Sequence, residues 1–160
     1  MSGSEFVEWI ASLPVGVALR RSALLYLLIN AAHILAIGLL IGAIVPLDLR
    51  LLGLVGNAPI AVVGPYLSRA AAVGLALAIV TGLCLFSVRP AAYLGNPAFL
   101  TKLALLALGV LNALSVRVST AWSQAVASGA TLLRLRIQAL ASLILWLGAL
   151  LAGRWIGFVA

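Results

Sequence analysis

His33 is the only histidine among the 160 residues, and it lies inside a long apolar run. The run from Leu24 to Leu47 carries no charged side chain, and about 20 apolar residues are enough to cross a bilayer as a helix. An ionisable side chain at mid-membrane depth is energetically costly and is therefore a candidate functional group. Because imidazole is a common metal ligand and titrates near neutral pH, His33 is a candidate ligand or proton carrier.

Three other polar side chains are predicted to lie near His33. At about 100° per residue, Tyr26 and Asn30 fall within about 60° of His33 on one helix face. Lys102 lies near the start of a later apolar run that crosses in the same direction, at a depth of about 6 Å against about 15 Å for His33. A lysine stem that points inward covers much of this offset. We therefore expect His33 and Lys102 to reach one pocket, with Asn30 between them.

Two structural alternatives compete with this pocket. Lys102, so close to a helix end, can extend its ammonium group to the lipid headgroups instead. His33 can serve only as a hydrogen-bonding link between helices. Its candidate partners are Asn112, Gln138 and Ser142.

Asp48 forms a second polar position, at the opposite end of the same run. It is the only acidic residue after Glu8. Three arginines near the starts of later runs are predicted to lie at its level, namely Arg69, Arg134 and Arg136. A lone carboxylate at that depth needs a partner, so the sequence favours a structural ion pair over a transport role for Asp48.

The sequence provides no cluster of metal-binding side chains. It contains one histidine, one cysteine and one methionine, which is Met1. A zinc or copper site built from four protein ligands is therefore not expected in one chain. The cysteine, Cys84, lies in an apolar run and is interpreted as a small buried hydrophobic residue.

The composition indicates an integral membrane protein. Hydrophobic residues make up 65% of the chain, charged residues only 8%, and the mean hydropathy is +1.27. A soluble domain is nearer half apolar and a quarter charged. The net charge of +7 does not predict nucleic-acid binding, because the basic residues are scattered at the ends of apolar runs. The expected partner is the lipid bilayer.

Four apolar runs of spanning length predict an all-α fold, a four-helix transmembrane bundle preceded by an interfacial helix over residues 4–14. The predicted spans cover about residues 22–47, 67–88, 98–116 and 132–158 of a single domain, 1–160. The connections, 48–66, 90–97 and 117–131, are rich in glycine, proline or serine. An even number of spans places both termini on one side of the membrane, called side A, and Asp48 toward the other, side B.

Gly38 and Gly42 form a short small-residue motif on the face of the first span that lies opposite His33. Such glycines allow helices to approach closely. The motif favours packing against another helix of the same chain, with homo-oligomerisation through Gly38 and Gly42 as the alternative.

Two stretches carry a resemblance to known families, Asn30–Gly53 and Asn96–Leu114. Nearly the whole chain resembles a family of small four-helix bacterial membrane proteins of unknown function. The two stretches are also distantly similar to the bacterial membrane protoporphyrinogen oxidase family and the copper-resistance D family. The resemblance implies a location in the bacterial cytoplasmic (inner) membrane.

The distant resemblance implies a cofactor, haem b, with His33 and Lys102 at the two polar positions that those families share. His33 is then a metal ligand only as an axial ligand of the haem iron, with Lys102 or an open position opposite. The chain departs from those families at Leu39 and Leu40, where a tryptophan often stands, and it lacks the further histidines of copper-handling relatives. Haem is therefore favoured over copper.

Basic residues on side A offer partners for the haem propionates in this interpretation. They are Arg20, Arg21, Arg89 and Arg154. Three functions remain open at this point. The protein binds haem b with a redox role, or it is a non-enzymatic structural or accessory membrane protein, or it is a small proton-linked transporter that uses His33 as its titrating group.

Overall fold

The computed structural model of the protein describes residues 2–56 and 58–159, and these residues are helical over most of their length. The α-helices are α1 (Gly3–Ser12), α2 (Pro14–Arg21), α3 (Ala23–Leu52), α4 (Ile60–Phe86), α5 (Pro90–Leu94), α6 (Pro97–Arg117), α7 (Thr120–Ser128) and α8 (Leu133–Trp155), and a 3-10 turn, Ile156–Phe158, follows. The predicted all-α fold is confirmed.

Helices α3, α4, α6 and α8 are each long and apolar enough to cross a membrane. Because backbone polar groups cannot bond to water inside lipid, continuous helices satisfy them within each segment. The chain is therefore an integral membrane protein with a four-helix bundle, as predicted.

The first two spans are longer than predicted. Helix α3 continues through Pro46 to Leu52, where Gly53 ends it in a left-handed conformation with φ 79°. Helix α4 already begins at Ile60 and includes Pro65. The predicted loop over 48–66 was therefore too long, because glycine and proline content alone does not show that Leu47, Asp48 and Leu51 continue a buried helix face.

Helix α3 packs along α4 and also touches α8, while α6 packs along α8. The α3–α4 contact brings backbone against backbone. A Cβ atom at Gly74 of α4 would lie 2.6 Å from the amide nitrogen of Leu40 and 3.0 Å from the carbonyl oxygen of Ala36. Helices α4 and α6 make no comparable contact within the described part of the chain.

The predicted packing role of Gly38 and Gly42 within the chain was wrong. Within the described residues, no atom of another helix lies within 4 Å of a Cβ built at either position. The close approach of α3 instead uses Ala36 and Leu40 against Gly74. Homo-oligomerisation through Gly38 and Gly42 stays a prediction.

Two short helices precede the first span where one was predicted. Helix α1 begins after Ser2, whose hydroxyl accepts a hydrogen bond from the amide of Glu5, and Pro14 begins α2. The guanidinium of Arg20 donates to the carbonyl oxygens of Ala11, Ser87 and Val88. Arg20 thereby ties the N-terminal helices to the side-A end of α4.

The two later connections also contain helix. Helix α5 lies in the side-A connection, and α7 lies in the stretch 117–131 on side B. Asn96 caps α6, because its side-chain oxygen accepts from the amides of Ala98 and Phe99 at 2.9 and 3.2 Å. Side-chain capping of the exposed amides lets a helix begin sharply at this position.

Candidate functional site

The side-A half of the bundle contains a cavity of about 270 Å³, called cavity 1. It lies among α3, α4, α6 and α8, and most of its lining side chains are aliphatic or aromatic. Its ionisable lining residues in the described chain are His33 and Lys102. The aromatic part of the wall consists of Phe86, Phe99 and Trp146.

Thr81 of α4 fixes the orientation of the His33 ring. Nδ1 of His33 lies 2.8 Å from the hydroxyl oxygen of Thr81. That hydroxyl lies 2.7 Å from the carbonyl oxygen of Leu77 and 3.4 Å from that of Ala78, and carbonyl oxygens only accept hydrogen bonds. Because the single hydroxyl hydrogen of Thr81 is used toward these carbonyls, Nδ1 of His33 donates to Thr81.

In a neutral ring, donation from Nδ1 leaves Nε2 without a hydrogen and with a lone pair. A histidine that donates from one ring nitrogen to a fixed acceptor and offers the other is the usual arrangement in metal ligation. Gly82 lets α4 come close to the ring, since a Cβ there would lie 3.2 Å from Cε1 of His33. The ring is half-buried and lines cavity 1.

Lys102 approaches the same cavity from α6. Its side chain crosses Gly153 of α8, where a built Cβ would lie 3.4 Å from Cδ and 3.6 Å from Nζ of Lys102. The lysine is half-buried, and no hydrogen bond or ion pair is described for it. Lys102 and His33 therefore share the wall of cavity 1.

Asn30 and Tyr26 do not line cavity 1. Both side chains are exposed. On α3 the lining begins at His33 and continues through Ile37 to Ile41. A shared helix face is therefore not sufficient, because Tyr26 and Asn30 lie one to two turns beyond the level at which the cavity starts.

Cavity 1 opens sideways. Its wall includes Leu83 of α4 and Leu103 of α6, which are 63% and 43% exposed. Helices α4 and α6 do not pack closely against each other in the described chain, unlike α3 with α4 or α6 with α8. In a bilayer the opening between them faces the acyl chains.

The side-A arginines do not reach cavity 1, contrary to the expectation that they could hold a ligand there. Arg20, Arg21, Arg89 and Arg154 are exposed and are absent from its wall. Arg20 is occupied by backbone carbonyls, and the guanidinium carbon of Arg154 lies 5.0 Å from the ring centre of Phe158.

The side-B half contains cavity 2, of about 490 Å³. Its polar wall includes Asp48, Arg69, Asn112, Arg117 and Gln138. Asp48 is only 3% exposed, and its Oδ2 has no hydrogen-bond partner among the residues that the structure describes.

The predicted ion pair between Asp48 and an arginine is not formed in the described chain. The polar neighbour of the Asp48 carboxyl group is Ser142 of α8. Arg69 lines the same cavity as Asp48 but is exposed and makes no described ion pair. Arg134 and Arg136 are exposed near the start of α8, where Nε of Arg136 donates to the hydroxyl of Thr131.

The predicted alternative partners of His33 link other helices instead. Nδ2 of Asn112 donates to the carbonyl oxygen of Gln138 at 3.0 Å, and Nε2 of Gln138 donates to Ser115 at 3.0 Å. These bonds join α6 to α8. Thr81 was not among the predicted partners of His33, although a threonine followed by a glycine within an apolar run is a recognisable sign of close helix contact.

Comparison with known proteins gives one family match. The profile described as a family of unknown function (DUF6644) matches residues 6–159. No curated protein and no solved structure matches the chain. The predicted membership of an uncharacterised family is confirmed, whereas the distant resemblance to the oxidase and copper-resistance families stays a prediction. Since the match covers almost the entire chain, the protein belongs to the DUF6644 family.

Proposed function

We propose that the protein binds haem b in the bacterial cytoplasmic membrane, with His33 as an axial ligand. The observation that carries the proposal is the 2.8 Å contact between Nδ1 of His33 and the Thr81 hydroxyl, in a residue that lines an apolar cavity. A neutral ring that donates from Nδ1 keeps Nε2 unprotonated, as an electron-pair donor. Haem iron accepts such a nitrogen ligand, and an apolar wall with aromatic rings suits a flat macrocycle.

The residues of cavity 1 fit this group in their chemistry. Its volume of about 270 Å³ is near the lower end of ligand pockets, which span about 300–1,000 Å³, so the macrocycle would also occupy the lateral opening between α4 and α6. Lys102 is the basic residue on this wall. We propose that it would bind a haem propionate, because the side-A arginines lie outside the cavity. A bound haem would supply one-electron chemistry, and the protein would set its position and surroundings.

An absorption spectrum tests the proposal directly. The purified protein in detergent, supplied with haem, is expected to show a Soret band that His33→Ala abolishes. Asn30→Ala is the matched control, since Asn30 lies one turn away on the same helix but outside cavity 1. A folded wild type without the band, or a band unchanged in His33→Ala, contradicts the proposal.

A structural role for His33 is the second candidate, favoured by the fact that its bond to Thr81 joins α3 to α4. Interhelical hydrogen bonds in membranes contribute on average about 0.6 kcal/mol. A double-mutant cycle of His33→Ala and Thr81→Val would show a coupling of about this size with either function. In the structural role alone, that coupling is present while the Soret band is absent.

A further inference from the structure

Three buried polar atoms without a described partner belong to residues that line cavity 2. They are Oδ2 of Asp48, Oε1 of Gln138 and Nε1 of Trp146. Asp48 and Trp146 are 3% and 2% exposed. Because buried polar groups in proteins are nearly always hydrogen-bonded, to protein, water or ligand, the cavity is built to contain a hydrogen-bonding occupant.

The polar groups of cavity 2 differ in burial and in charge: the acceptor oxygens are buried, and the arginines are exposed. The unpartnered oxygens of Asp48 and Gln138 are buried and need hydrogen-bond donors. Arg69 and Arg117 line the same cavity with exposed side chains, and no hydrogen bond or ion pair is described for either. The interior therefore favours a cationic donor, whereas the rim favours an anion.

We propose that cavity 2 binds a small zwitterion, with a primary ammonium group at Asp48 and Gln138 and an anionic group at Arg69 and Arg117. An ammonium group has three N–H donors for the two buried oxygens, and guanidinium groups match phosphate and carboxylate. The volume of about 490 Å³ lies within the range of ligand pockets, about 300–1,000 Å³.

Two sources can supply this chemistry on side B. One is the ethanolamine headgroup of a phospholipid in the adjacent leaflet, since Arg117 is the last residue of the span α6 and basic residues at the ends of spans can meet lipid phosphates. The other is a free zwitterion such as phosphoethanolamine. Choline analogues keep the phosphate and the positive charge but have no N–H donor, so they isolate the contribution of the buried oxygens.

The full chain in phosphatidylcholine nanodiscs is the material for the test. Calorimetry with phosphoethanolamine and phosphocholine measures the soluble arm, and native mass spectrometry of discs with mixed ethanolamine and choline lipids measures the lipid arm. We expect at least a tenfold preference for the ethanolamine form in one arm, and that arm identifies the source. Equal binding of the two forms, or no binding, in both arms overturns the proposal.

Variants connect the preference to the cavity. Asp48→Asn keeps the shape of the side chain and is expected to reduce the preference at least tenfold. Arg117→Gln should weaken binding of both forms, and Arg134→Gln is its matched control, because Arg134 is exposed on side B but does not line cavity 2. An unchanged preference in Asp48→Asn contradicts the assignment.

The test does not depend on the folding of one variant. If Asp48→Asn does not fold, Arg69→Gln and Arg117→Gln decide the result, because both arginines are exposed and no hydrogen bond or ion pair is described for either. Binding unaffected in both then overturns the site. The haem spectrum of cavity 1 and ligand binding at cavity 2 are separate measurements. A negative result for cavity 2 therefore does not affect the proposed function of His33, and a missing Soret band does not affect the proposal for cavity 2.

Discussion

Replacing Gly74 by alanine should push α3 and α4 apart. The new Cβ would lie 2.6 Å from the amide nitrogen of Leu40, whereas ordinary van der Waals contact begins at 3.4 Å. The helices must therefore separate by about 0.8 Å, the difference between these distances. Rotation of a side chain cannot relieve the clash, because the nearest atoms, in Leu40 and Ala36, belong to the backbone.

Gly38→Ala is the control that isolates this steric cost. Both glycines lie inside helices, and alanine gains about 1 kcal/mol over glycine in either helix from intrinsic propensity. At Gly38, no atom from another helix of the described chain lies within 4 Å of a built Cβ. The propensity term cancels between the two variants, which leaves an overpacking cost of about 1–3 kcal/mol for Gly74→Ala.

Thermal unfolding in detergent, followed by circular dichroism, measures this difference. At about 2–4 °C per kcal/mol for a chain of this size, Gly74→Ala should melt about 2–12 °C below Gly38→Ala. The same displacement should weaken the His33–Thr81 bond, which lies two turns further along α4. Equal melting temperatures for the two variants would show that the backbones of α3 and α4 are not in contact, and the packing argument would fail.

Three further perturbations test positions outside the cavities. Asn96→Ala should destabilise the protein by about 1 kcal/mol or more in thermal unfolding, because it removes the cap of α6 and a bond to the carbonyl of Ile156. Arg20→Gln should release α1 and α2 from Ser87, so limited proteolysis should cleave near residue 13 faster than in wild type. Burial raises the pKa of Tyr93, with smaller effects from its neighbours, so its phenolate absorbance should appear above the usual pH of about 10 and vanish in Tyr93→Phe. Because the pKa of Tyr93 is higher in the folded protein than in the unfolded chain, the folded state loses stability as the pH rises above the pKa that Tyr93 has in the unfolded chain.

The spans could be predicted from the sequence because their signal is local. Apolar runs of sufficient length, separated by breaks, specify four helices without knowledge of their neighbours. The ends were less predictable. Pro46 and Pro65 suggested breaks, yet both lie inside helices, and the structural stop at Gly53 depends on a left-handed backbone conformation.

The contacts between helices could not be predicted, since they depend on rotation and register. Nothing local in the sequence shows that Thr81, rather than Gln138, lies opposite His33. The prediction that Asp48 needs a partner rested on sound electrostatics, but the arginines at its level are exposed. Asp48 lines a cavity instead, and no local sequence pattern predicts a cavity between helices.

One face of α3 serves both halves of the bundle. His33 and Asp48 are fifteen residues apart, which is about 22 Å along a helix, so they lie at different depths in the membrane. Between them, Leu40, Leu75 and Trp146 line both cavities and form the wall that separates the cavities. The wall depends on Gly109 of α6, since a Cβ there would lie 3.2 Å from the indole of Trp146. A larger residue at Gly109 would displace the indole and alter both cavities at once, whereas the variants at His33 and Asp48 each address one. The two proposed sites are therefore chemically independent, but they share a wall whose largest member is the indole of Trp146.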